Sequence, residues 1–72
     1  MPTHTHNFVA SEAISHATYN DTSRVLTITF RDGWKSYAYY NVPPSVWIEF
    51  IHASSAGRYV QYHIKPYYSL RR

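Results

Sequence analysis

The sequence predicts an α+β domain: a three-stranded antiparallel meander packed by one amphipathic helix and a second, short C-terminal helix. Three observations carry this expectation. Between residues 14 and 40, three short stretches rich in β-branched and aromatic residues are separated by turn formers. After Pro43-Pro44 the apolar spacing lengthens from two residues to three and four. The chain has 72 residues and no cysteine, so it carries one core built without disulfides. Two layers, sheet and helices, satisfy both periods.

Residues 1–10 are expected to form a flexible N-terminal tail, because they are largely polar, contain Pro2 and lack periodicity; residues 11–72 form the domain. Ile14 to Tyr19 is the first strand. Asn20-Asp21-Thr22-Ser23 supplies a turn, since Asn and Asp side chains bond their own backbone. From Arg24 to Phe30 the alternation is clean: Leu26, Ile28 and Phe30 share one face, Val25, Thr27 and Thr29 the other. Asp32-Gly33 marks a tight hairpin, and Trp34 to Tyr40 is the third strand. Pro43-Pro44 stops the sheet, and a proline in the first helical turn loses no hydrogen bond. Val46, Trp47, Phe50 and Ile51 then define an amphipathic helix from about Pro44 to Ala53. Its stripe should cross the Leu26/Ile28/Phe30 face, with Phe50 meeting Phe30. Gly57 could end this helix in the left-handed region. The preferred alternative has Ser54 or Ser55 capping a second helix that reaches about Ile64 and stops at Pro66. Tyr67 to Arg72 continues extended.

The composition, 44% hydrophobic and 18% aromatic with 15% charged, excludes disorder over most of the length. No apolar run approaches the roughly 18 residues of a membrane span, and no basic-then-apolar leader is present. The expectation is therefore a cytoplasmic module with no membrane contact. Seven Lys/Arg against four Asp/Glu give a net charge of +3. Arg58, Lys65, Arg71 and Arg72 lie with His63 in an acid-free stretch interleaved with tyrosines. Such a segment suits nucleic acid or another anionic surface; a solvated basic end is the plainer account.

Tyr37 and Tyr39 project from one strand face with Lys35 in line. On an open face they would form a stacking platform for bases. On a covered face they would pack beneath the basic segment. Ser55, Gly57 and Arg58, with Ser54, could bind an anion through helix-start N–H groups and a guanidinium, or could simply cap a helix. His63 could donate to the same anion or stack on Tyr67. His4 and His6 have metal-ligand spacing but no third ligand, so no metal and no cofactor are expected. His16 could serve a serine such as Ser36, yet no third group has the right spacing, so an enzyme is not expected.

Read together, these residues resemble the KTSC domain, a small module named for its occurrence at the C-terminus of some lysyl-tRNA synthetases. The resemblance runs from about Ser11 to Tyr68. It rests on Tyr19-Asn20, Leu26 to Phe30, Gly33 before Tyr37-Ala38-Tyr39, and Asn41-Val42-Pro43 before the helix. Ala53-Ser54-Ser55, Gly57-Arg58-Tyr59 and Ile64 complete it. Ala56 stands where the family usually has lysine, and Gln61 where it usually has asparagine. The resemblance implies a small α+β fold and, through the synthetase association, contact with RNA. The leading expectation is a non-catalytic module that binds RNA or single-stranded nucleic acid through the tyrosine strand and the basic C-terminal segment. A protein-interaction module with an aromatic docking surface is the alternative, because Tyr, Trp and Arg also dominate protein interfaces.

Overall fold

The alternation of the middle strand is realised in space as one face of an antiparallel sheet. The computed structural model describes residues 3–68 and 70–71, the last two by backbone alone. Among these residues five strands follow in sequence order: β1 (Thr3–Asn7), β2 (Ile14–Asn20), β3 (Val25–Phe30), β4 (Ser36–Tyr39) and β5 (Leu70–Arg71). Neighbours pair antiparallel throughout. Helix α1 (Pro44–Ile51) and helix α2 (Ala56–Tyr59) complete the second layer, and α2 runs on into a π-helical segment, Val60–Ile64.

Ile14, Ala17 and Tyr19 of β2, Leu26 and Ile28 of β3 and Tyr39 of β4 are all buried. The odd spacing of Ile14 and Ala17 is absorbed by a register shift between Ile14 and His16, which turns both side chains inward. Trp47 and Phe50 of α1 and Ala56, Val60 and Ile64 beyond it fill the core from the other side. Tyr19 ties the layers together. Its ring stacks on Trp47 at 5.6 Å, and its hydroxyl donates to the Val42 carbonyl at 2.5 Å, just before α1 begins. Burial raises the Tyr19 pKa accordingly.

Local signals decide the turns. Asn20 Oδ1 accepts from the Thr22 and Ser23 amides at 2.9 and 3.1 Å, the side-chain turn expected there. Ser55 caps α2, its Oγ accepting from the Arg58 amide. The β3–β4 hairpin closes with the Phe30 amide donating to the Lys35 carbonyl at 2.8 Å around a 3-10 turn, Asp32–Trp34.

The structure corrects the sequence reading in three places. Among the described residues the sheet has five strands rather than three. The first of the added strands lies where a flexible tail is expected, and pairs from Thr3↔Asn20 to Asn7↔His16. Its side chains are mostly exposed, so no apolar alternation marks it; backbone hydrogen bonds to β2 hold it, and these leave no side-chain pattern. At the other end Leu70 and Arg71 pair with Tyr39 and Ala38 instead of trailing away. Finally, Phe50 packs against Phe8, Trp47 and Tyr59 rather than Phe30, whose ring turns to Tyr37.

Candidate binding groove

The face that carries Tyr37 and Tyr39 is the face the helices cover. Tyr39 lies opposite Leu26 and Tyr37 opposite Ile28, so both tyrosines join the core row of β3. Tyr39 is only 3% exposed, and burial raises the pKa of its phenol. An open two-tyrosine platform is therefore not what the fold makes. Tyr37, nearer the hairpin, remains half-buried at the edge of the covered face.

At that edge the sheet and the C-terminal segment leave a groove of about 490 Å³. Phe30, Tyr37 and Tyr39 form its aromatic wall; Lys35 and Lys65, Glu12 and Asp32 supply its charges. The π-helical segment brings Lys65 here. Its extra winding, with the Lys65 amide donating to Val60 O at 2.8 Å, keeps Val60 and Ile64 buried and sets the Lys65 ammonium 5.8 Å from the centre of the Phe30 ring. Lys35 folds its stem over Gly33, whose φ of +70° is the left-handed turn geometry that glycine adopts freely. Three candidates spread over residues 35 to 65 in the sequence thus become neighbours with Tyr39 behind them.

Trp34 follows Gly33 in the same turn. It also takes a positive φ, +52°, and its side chain is 64% exposed. A bulky residue at positive φ is disfavoured by about 1–3 kcal/mol, and an exposed indole gains nothing from burial to offset this. Asp32 and Lys35, on either side of it in the turn, line the groove, but Trp34 itself does not. Sequence reasoning placed Trp34 in a strand and missed it, although an aromatic directly after Asp-Gly is the available signal.

The other candidates lie elsewhere. Ser55 and Gly57 border a second hollow of about 540 Å³ against the Val9–Ala13 loop, with Glu12 and Ala13 dividing it from the groove. A Cβ at Gly57 would come within 3.3 Å of the Ala13 methyl, so this glycine answers to a close approach of two chain segments. Ser55 is engaged in capping. Arg58 is exposed and lines neither hollow. His63 packs on Tyr59 at 4.8 Å rather than on Tyr67. Arg71 is placed only by its backbone opposite Ala38, and Arg72 lies outside the described residues. The Ser54–Arg58 anion site is thus not assembled with the tyrosine strand.

Three further points concern polar side chains away from the groove. His16, Thr29 and Ser36 form one cross-strand row, but His16 Nδ1 lies 3.2 Å from Ser15 Oγ, and Ser36 Oγ lies 2.8 Å from Thr29 Oγ1. His4 pairs with Asp21 at 3.1 Å, and among the described residues no three potential metal ligands cluster. Arg31, a cation the sequence reading passed over, is structural: Nε and Nη2 donate to the Ser11 and Phe8 carbonyls, each at 2.8 Å.

Comparisons with known proteins agree with this architecture. Residues 10–68 match the family model of the KTSC domain. A protein of Tsukamurella paurometabola is 40% identical over 58 residues, spanning 81% of this chain and 85% of its own length. The crystal structure of a KTSC domain protein from Yersinia pestis is similar with a TM-score of 0.86 at 30% identity, covering 99% of this chain and 97% of that one.

Proposed function

The chain belongs to the KTSC domain family, and from that premise we propose that it is a non-catalytic module that binds single-stranded nucleic acid, RNA foremost, in the groove beside Tyr37. One observation carries the reading: Lys35 and Lys65, thirty residues apart, converge on a half-buried tyrosine. Ammonium groups beside an aromatic face are what a nucleotide needs, phosphate on the cations and base on the ring. The exposed indole of Trp34, in the turn that carries Asp32 and Lys35, adds a second stacking surface. The net charge of +3 draws a polyanion to the molecule as a whole. No helix among the described residues is long and apolar enough to cross a membrane.

Fluorescence anisotropy with a labelled ten-nucleotide RNA of mixed sequence tests the proposal. Binding at low salt that a folded Lys35→Ala/Lys65→Ala variant clearly weakens supports it. A parent that binds no RNA, or a double variant that binds equally well, overturns it. The groove would then belong to the protein-docking alternative.

A further inference from the structure

Four charged side chains line the groove, and among the described residues none of the four forms an ion pair or a side-chain hydrogen bond. Lys35 and Lys65 are suited to phosphate. Glu12 and Asp32 are not: a carboxylate repels phosphate and accepts N–H groups instead. A ligand that satisfies both pairs must bring an anion and N–H donors into the same small space. A nucleotide whose base carries an exocyclic amino group does so. Its phosphate meets the ammonium groups, its ring lies on Tyr37, and its amino hydrogens reach a carboxylate, as Glu and Asp accept from cytosine N4. Uracil presents a carbonyl oxygen where cytosine presents that amino group, and its single N3–H lies between two carbonyl oxygens that repel a carboxylate, so the carboxylates disfavour it. Resting on the nucleic-acid reading above, we infer that the groove selects amino-bearing bases, with Glu12 and Asp32 as the specificity-determining residues. Binding and selection are then divided between oppositely charged pairs.

Cytosine and uracil differ at the one edge that matters, so the test compares labelled eight-nucleotide oligocytidylate and oligouridylate at neutral pH. The parent is expected to favour oligocytidylate by about tenfold, within the range of one good base-edge contact. The Glu12→Gln/Asp32→Asn variant should bind both oligonucleotides more tightly, because two charges that repel phosphate are gone. Its preference should fall to within about twofold, because an amide offers both a donor and an acceptor. Equal affinity of the parent for the two, or a preference that survives in the variant, overturns the inference and leaves nucleic-acid binding standing. A parent that binds neither overturns both, and the groove then falls to a protein partner.

Discussion

Phe8 and Phe50 meet in the core with ring centroids 4.9 Å apart and planes tilted by 41°. Phe8 follows the edge strand β1, and Phe50 sits at the centre of the α1 stripe, so the contact fastens the N-terminal segment to the helical layer. Arg31 reinforces it by holding the Phe8 carbonyl from β3's end. Thr3 to Phe8 is thus structural, not an appendage.

Phe50→Ala and Phe8→Ala should each destabilise the fold by about 3–5 kcal/mol, the usual cost of emptying a buried phenylalanine site. Chemical denaturation measures this. Milder Phe8→Leu and Phe50→Leu variants, combined in a double-mutant cycle, should show a coupling of about 1 kcal/mol. An unchanged midpoint for Phe8→Ala would mean that β1 is not part of the cooperative unit.

The contact also marks where the sequence was legible. Period-two alternation in residues 24–30 reports a strand with one buried face, and Leu26 and Ile28 occupy that face. Pro43-Pro44 and the Val46/Trp47/Phe50/Ile51 spacing report α1, and Ser55 its successor's cap. β1 left no such trace, because Thr3–Asn7 is an edge strand with little to bury. Of the residues that line the candidate groove, Lys35, Tyr37 and Tyr39 stand out by same-face geometry on one strand, and Lys65 by the basic C-terminal stretch. Their surroundings do not, since Glu12, Asp32 and Lys65 are brought together by tertiary packing alone. Whether the Tyr37/Tyr39 face is open depended on where the helices dock, which strand alternation does not specify.

Trp34 should show opposite effects on stability and binding. Replacing it with glycine relieves a positive φ that only glycine adopts freely, so Trp34→Gly should raise stability by about 1 kcal/mol. In a domain this size that is a rise in Tm of roughly 4–8 °C. The same change removes the exposed indole from the turn that carries Asp32 and Lys35 and should weaken RNA binding by about 1 kcal/mol or more, about the value of one stacked base. A variant that melts lower than the parent, or binds as well, contradicts the assignment. Trp47, at 5% exposure, remains as the internal fluorescence reference.

Tyr59 sets an alkaline limit. Its hydroxyl donates to Glu49 Oε1 at 2.8 Å, joining α2 to α1, and burial together with that bond pushes its pKa from 10.0 up to about 12. Folding therefore favours the neutral phenol. The resulting stability is whole below pH 10 and fades as the pH climbs towards 12. Tyr59→Phe should melt below the parent at pH 8, by a hydrogen bond's worth of about 1 kcal/mol. Above pH 10 the two melting curves should converge, because only the parent has a phenol there to lose its proton. A gap that stays constant from pH 8 to pH 11.5 would place the alkaline transition elsewhere, for example at Tyr19 or Tyr39, whose pKa values burial also raises.

Salt dependence separates the groove cations from the rest. Each phosphate neutralised on a single strand contributes about −0.7 to the slope of log K against log salt. Lys35→Ala and Lys65→Ala should each flatten the slope by about 0.7, and the double variant by about 1.4. Arg58 is an exposed cation that lines neither hollow, so Arg58→Ala should lower affinity little and leave the slope where it was. Tyr37→Ala should do the reverse of the lysine variants, weakening binding by about 1–3 kcal/mol with no change in slope, because stacking is lost and no charge is. Thermal melts must first show each variant folded, since Lys65 also caps the Phe30 ring and Tyr37 packs against it. Equal flattening by Arg58→Ala would spread the contact over the whole basic surface. A slope unmoved by Lys35→Ala and Lys65→Ala together would remove the groove from the path of the strand.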